Sequence, residues 1–263
     1  MTAPHDEVEP GGEPDPAPRT PRLGVRARLA RQATPQHVGE RVSIRHLVTD
    51  PQRGPRPTDV VGRLLAMDDD LLLVVDRRAH LHTIAVADVL ASRIVPPHPR
   101  LEPEPPVPTS EAPLVRRAAR VLVIDRDDRV LLVAHHPTAD ESVWTAPGGG
   151  LEDDEDHRTA ARREVVEELG LDTEPGPCVL LRQAAFTFRG VWLEQHEQWF
   201  LVRVDDFDHH DAPLDDAGIS RARWWSLAEL QGTDAHVEPR RLAELLAHVI
   251  EVGVPDPPWT FDE

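Results

Sequence analysis

A glycine-rich turn that leads into an acidic helix, residues 147–170, constrains this chain more than any other stretch. Pro147-Gly148-Gly149-Gly150 permits tight turning and close approach of backbone to a ligand. A helix is predicted from Asp156 to Leu169, stopped by Gly170. On it Glu164, Glu167 and Glu168 stand at i, i+3 and i+4, so their carboxylates share one face about 100° wide. Ala161, Val165 and Leu169 take the opposite side, so that side can be buried while the acidic one lines a cleft. Upstream, Asp153, Asp154, Glu155 and Asp156 complement the positive end of the helix dipole. Three like charges on one face repel one another unless a cation sits among them, and magnesium and manganese are hard ions that carboxylates suit. Spacing alone leaves two readings open: a metal site, or a solvated acidic surface, which is the commoner fate of such a face.

Gly149, Glu155, Arg163, Glu164, Val165, Glu167, Glu168, Gly170 and Leu171 fill every specified position of G-x5-E-x7-R-E-U-x-E-E-x-G-U, where U is a bulky apolar residue. With average residue usage a chance match in such a chain is on the order of one in a million. The segment resembles the Nudix box, and with it about Val115 to Ile250 resembles the Nudix hydrolases. Trp144, Pro147 and Gly148 ahead of the box and Arg223-Trp224-Trp225-Ser226-Leu227-Ala228-Glu229-Leu230 after it are similar to the family's flanking segments. The resemblance implies Mg2+, with Mn2+ as a substitute, held by Glu164, Glu167 and Glu168 with the carbonyl of Gly149. It also implies that Arg163 pairs with Glu155, and that Glu167, Glu168 or a glutamate on a distant loop deprotonates the attacking water. Glu194 and Glu197 are the loop candidates. Metals lower the pKa of bound water and neutralise charge on phosphate oxygens.

The implied activity is hydrolysis of a phosphoanhydride in a nucleoside triphosphate or another nucleoside diphosphate-linked compound. Phe188, Trp192 and Trp199 are candidates to stack on a base, and Glu197 to line the substrate site; Trp199 equally fits a buried strand position. The rival is a non-catalytic Nudix-like module that senses a nucleotide or ADP-ribose. Such sensors lose box glutamates, and this chain keeps them.

The rest of the chain divides by texture. Residues 1–21 are rich in Pro, Gly, Asp and Glu and read as a disordered tail. A basic segment, 22–37, follows. Residues 38–97 hold five short β-type runs, at 42–48, 60–66, 71–75, 80–86 and 91–95, which suggest a small barrel. Val38-Gly39-Glu40-Arg41-Val42, Thr58-Asp59-Val60-Val61-Gly62 and Val95-Pro96-Pro97 make it similar to the SH3-like domain ahead of some bacterial acetyltransferases. Residues 98–114 read as a proline-stiffened linker. Strands mixed with a few helices over 115–253 predict an α/β fold, which the resemblance makes the Nudix α/β/α sandwich with a mixed sheet. Residues 254–263 read as a C-terminal tail.

Composition narrows the partners. A formal net charge of -18 repels long nucleic acids, while a metal ion can still draw in a small nucleotide substrate. All 29 basic residues are arginine, which removes lysine Schiff-base chemistry and Walker-type phosphate binding. One cysteine, Cys178, excludes an internal disulfide framework. No run of about 20 apolar residues and no signal-like N-terminus is present, so no membrane contact is expected and the cytoplasm is the natural location. The sequence leaves room for a homodimer and for a protein partner held through the barrel.

Overall fold

A computed structural model describes residues 32–50, 54–96, 105–138, 141–152, 154–205, 207 and 219–262. The proposed tail 1–21, residues 22–31 of the basic segment and residues 98–104 of the linker lie outside these residues. Among the described residues no helix is long and apolar enough to cross a membrane.

The first folded unit consists of β1 (Arg41–Asp50), β2 (Gly54–Met67), β3 (Leu71–Val75), β4 (Leu81–Ala85) and β5 (Val89–Ile94). They form an antiparallel sheet in the order β4-β3-β2-β1-β5. Asp68 makes the β2–β3 turn, its Oδ1 accepting the N–H groups of Asp70 at 2.9 Å and Leu71 at 2.8 Å. Val42, Ile44, Val60, Leu64, Leu72, Val74, Ile84 and Val89 make the sheet's own core. Among the described residues the edge strands β4 and β5 do not pair, so the ladder is an open, curled sheet rather than a hydrogen-bonded closed barrel.

The second unit runs β6 (Leu114–Asp125), β7 (Val130–Thr138), β8 (Glu141–Thr145), β9 (Gly148–Gly150), α1 (His157–Leu169), β10 (Cys178–Phe188), β11 (Val191–Val204), β12 (Ile219–Trp225), α2 (Leu227–Gly232), β13 (His236–Val237), α3 (Leu242–Glu251) and β14 (Trp259–Asp262). Its sheet is mixed and ordered β13-β8-β7-β6-β11-β10-β14, with β12 on β7 and β9 on β6. Strand β11 runs parallel to β6 along the whole length of β6. Period-two alternation along β6 separates the layers. Ala119, Val121 and Val123 pack with Ala160, Ala161, Val165 and Leu169 of α1 on one side. Leu122 and Ile124 pack with Leu230 of α2 and Leu242, Leu245, Leu246 and Val249 of α3 on the other. A helix thus lies on each face of one curled mixed sheet. The C-terminal stretch read from sequence as a tail instead adds β14, parallel to β10, and buries Phe261 in the α3-side core.

Apolar packing joins the two units. Leu73 and Val75 of β3, with Leu65 of β2, are buried against Leu114, Val191 and Leu193 of β6 and β11, with Phe186 and Phe188 of β10 alongside. At its edge Arg189 Nη1 donates to Asp68 Oδ2 at 2.5 Å. Arg63 Nε donates to the carbonyl of Pro105 at 2.8 Å, which holds the connecting segment against the first sheet. All five residues of β3 are buried because Leu72 and Val74 face the first core while Leu73 and Val75 face this seam.

Candidate active site

Helix α1 begins and ends on side-chain and backbone chemistry that fixes its register. The Asp156 carboxylate caps it by accepting the Thr159 N–H at 2.8 Å, and Gly170 closes it at φ 68°, a conformation glycine adopts without strain. That register sends Glu168 inward, where its Oε2 accepts the N–H of Gly148 at 2.9 Å. It brings Glu164 so close to Gly149 that a Cβ there would sit 2.5 Å from Glu164 Oε1. Any side chain at position 149 would therefore displace the Glu164 carboxylate.

One guanidinium organises the box. Arg163 donates to both oxygens of Glu155, at 3.1 and 3.0 Å, and to the carbonyl of Gly150 at 3.0 Å. Its Nη1 also reaches Glu164 Oε1 at 2.8 Å and Glu167 Oε2 at 2.9 Å. Burial works against the charge on Arg163, but Glu155, Glu164 and Glu167 outweigh it and raise its pKa. Glu164 is pushed above the ordinary glutamate value by burial, with Glu167 adding to the effect and Arg163 and Arg116 only partly offsetting it.

Among the described residues no three His, Cys, Asp or Glu side chains are gathered into a ready cation cage. The donor set still suits a hard divalent cation. Glu164, Glu167 and Glu168 are all oxygen donors, and one guanidinium bridges three of the box carboxylates. Burial, only partly offset by Arg163 and Arg116, raises Glu164, so a cation bound there would favour its charged form.

A second polar group lies on the face of β6 and β11 away from α1. Glu197, 3% exposed, accepts from Trp199 Nε1 at 2.7 Å, Gln195 Nε2 at 2.5 Å, Arg120 Nε at 3.1 Å and Arg182 Nη1 at 3.5 Å. Arg120 carries this contact back to the glycine turn by donating to the carbonyls of Ala146 at 2.8 Å and Gly148 at 3.2 Å. Arg182 also donates to Glu238. Burial alone would raise the Glu197 carboxyl, yet Arg120, Arg182 and the two N–H donors hold it below the usual value.

Two sequence expectations are corrected here. Glu194 and Glu197 stand in the strand β11, not on a loop, and they face opposite sides of the sheet. Glu197 is a satisfied anion that locks Arg120 and the glycine turn, which unsuits it as a base. Glu194 is tied to Gln183 at 3.0 Å and His196 at 2.7 Å.

Replacing Glu197 by glutamine leaves the largely buried Arg120 guanidinium without its counter-charge and Arg182 with Glu238 alone, at an expected cost of about 3 kcal/mol at neutral pH. A carboxyl depressed in the folded state stabilises above its unfolded pKa. The gap between wild type and Glu197→Gln is therefore full at pH 7 and shrinks as pH falls below about 4.3, toward the depressed native value. Urea melts of both proteins across that range would expose a pH-independent gap, which the ion-pair account does not allow.

The aromatic candidates separate. Trp199 is fully buried among Leu122, Leu180 and Leu201 and has no face left for a base. Phe188 packs in the seam between the two units. Both corrections have one cause: each ring sits on the covered face of its strand. Trp192 is 38% exposed but lies on the opposite face of β11 from Glu197. Trp144 stacks edge-on against Trp225 at 5.3 Å, as packing residues do. The sequence reading missed Arg116, Arg120 and Arg182. The signal was present, because Leu114, Arg116, Ala118, Arg120 and Leu122 share one strand face and its ends are apolar.

Comparison with known proteins gives the same region. The family profile of the NUDIX domain matches residues 114–246. The CTP pyrophosphohydrolase of Escherichia coli (strain K12) is 35% identical over 110 residues, covering 37% of this chain and 82% of that protein. Nudix hydrolase 25 of Arabidopsis thaliana is 31% identical over 103 residues, which span 33% of this chain and 59% of that protein's length. Among solved structures, the solution structure of the E. coli ORF135 protein is similar at 25% identity with a TM-score of 0.37, covering 52% of this chain and 91% of that one.

Proposed function

Because this chain belongs to the NUDIX domain family, we propose that it is a magnesium-dependent pyrophosphohydrolase that cleaves a phosphoanhydride in a nucleoside triphosphate or another nucleoside diphosphate-linked compound. Its class is that of hydrolases acting on acid anhydrides. The observation that carries the reading is the complete glutamate set of α1 set against the glycine turn, with Glu168 holding the Gly148 N–H. A sensor that does not cleave has no use for this intact set.

Glu164, Glu167 and Glu168 with the carbonyl of Gly149 would hold Mg2+ or Mn2+. When bound, the ion supplies a Lewis acid that acidifies water and neutralises charge on the phosphate oxygens. Arg163 and Glu155 fix the strand-to-helix turn, so the carboxylates keep one orientation through turnover. With Glu197 engaged by four donors, Glu167 and Glu168 are the carboxylates that accept the proton of the attacking water. Glu197 and Arg120 support the turn from the far side of the sheet.

The relative named as a CTP pyrophosphohydrolase makes CTP and dCTP the first substrates to try. Our reading of 38–97 as an SH3-like module, 98–114 as connector and 115–253 as the catalytic domain belongs to the same proposal. The apolar seam supports a module packed on the catalytic unit over one on a loose tether. The test is a panel of CTP, dCTP, the other nucleoside triphosphates, ADP-ribose and a dinucleoside polyphosphate, each with magnesium, manganese or a chelator, with products read by phosphorus NMR. Metal-dependent release of a nucleoside monophosphate from at least one compound is expected. Silence across the whole panel would sink the proposal.

A further inference from the structure

The face of β6 and β11 away from α1 changes character in regular steps. Leu114 pairs with Leu193 in the apolar seam; Arg116 pairs with Gln195; Ala118 pairs with Glu197; Arg120 pairs with Trp199. Each step is about 6.6 Å along the strands. Two arginines thus stand between an apolar seam and an apolar core, but their situations differ. Arg120 is committed to Glu197 and to the carbonyls of Ala146 and Gly148. Arg116, among the described residues, makes no hydrogen bond and no ion pair.

Its guanidinium lies against the glycine turn. A Cβ added to Gly150 would meet Arg116 Nη2 at 2.9 Å and Cζ at 3.4 Å. Its neighbour Gly149 meets the Glu164 carboxylate in the same manner. Successive residues of a strand point to opposite faces, so β9 is a thin backbone partition with the box glutamates on one side and Arg116 on the other. Glycines at both positions let opposite charges approach the partition from both sides.

A half-buried guanidinium with no hydrogen-bonding partner in the protein keeps its N–H donors available to water or to a bound anion. Burial, and then the charge of Arg120, lower its pKa to about 10 in spite of the nearby Glu164 and Glu197. Arginine's planar fork matches a phosphate.

We propose that Arg116 is the substrate-binding residue for the phosphoryl group next to the one attacked, gripping it across the glycine turn from the box glutamates. The assignment rests on the pyrophosphohydrolase reading of the same site. It makes Arg116 a selector for compounds with at least two linked phosphates over monophosphates.

The test uses the full chain and a methylene-bridged, non-hydrolysable CTP analogue, with CMP as control. Calorimetry is run with magnesium and again with chelator, beside steady-state kinetics. In Arg116→Gln the Kd for the analogue and the KM are expected to rise roughly 10- to 50-fold, with kcat within about threefold and CMP affinity little changed. Arg116→Lys, which keeps the charge and loses the fork, should fall between. An unchanged analogue Kd, or equal weakening of CMP, overturns the assignment. Should Arg116→Gln not fold, Arg116→Lys decides: a Kd equal to wild type for the analogue overturns it, and a selective several-fold loss supports it. Failure of the parent reading looks different, since wild type would then bind the analogue in an Arg116-dependent way and yet turn nothing over.

Discussion

Glu168→Gln is expected to lower turnover on the order of a thousandfold while the protein keeps its fold. The two oxygens of Glu168 face different tasks. One accepts the Gly148 N–H at 2.9 Å deep in the turn. Glutamine is nearly isosteric, and its carbonyl oxygen can keep that bond, so the Gly148–Gly150 ribbon stays on β6. What disappears is a full negative charge beside Glu164 and Glu167, and with it a hard oxygen donor for a divalent ion. Removing several kcal/mol of charge stabilisation from a transition state corresponds to about three decades in rate. The readouts are kcat with CTP and magnesium, calorimetric magnesium uptake, and the melting temperature. A rate within tenfold of wild type, with magnesium uptake intact, would remove the metal site from α1. A collapsed melting temperature would instead make Glu168 a structural residue first.

How far the site can be read from sequence depends on whether its chemistry is local. The box occupies 23 consecutive positions, Gly149 to Leu171; spacing alone puts Glu164, Glu167 and Glu168 on one helix edge, and the family resemblance pairs Arg163 with Glu155. The helix limits were equally legible, since an acidic cap and a left-handed glycine mark them. What failed was everything set by partners far along the chain. Glu197 looks like a loop glutamate because four polar residues surround it in sequence; its donors Arg120 and Arg182 come from two neighbouring strands. Trp199 and Phe188 look like free rings until β10, β11 and the first sheet cover them. Arg116 could have been found from its strand parity, but only after noticing that both ends of its face are apolar.

The seam was written in the sequence and overlooked. Leu71-Leu72-Leu73-Val74-Val75 is five apolar residues in a row, whereas a strand with one wet face alternates. A continuous run means both faces are covered, and a curled five-stranded sheet has only one interior. Something else had to cover the second face. The structure supplies Leu114, Val191 and Leu193 for it, on the strands that carry Arg116 and Glu197 two and four residues farther along.

Leu73→Asp is accordingly expected to damage both units at once. Leu73 is fully buried at the centre of the seam. Its loss removes roughly 1.5–3 kcal/mol of apolar burial, and an unpaired carboxylate in its place adds a desolvation cost of several more. A total of about 5 kcal/mol is comparable to the whole stability of many domains. In a chain of this size that corresponds to a fall in melting temperature of roughly 10–20 °C. Val115→Asp is the control: Val115 is 52% exposed on the other face of β6, and its change should stay within about 0.5 kcal/mol. A loosely tethered module predicts something else. The seam would open, water would solvate the introduced carboxylate, and calorimetry would show a melting temperature within about 2 °C of wild type, with CTP hydrolysis unaffected. That result would detach the N-terminal sheet from the catalytic unit. The expected outcome, a large fall shared by the melting transition and the activity, ties the seam beside Arg116 to the stability of the site itself.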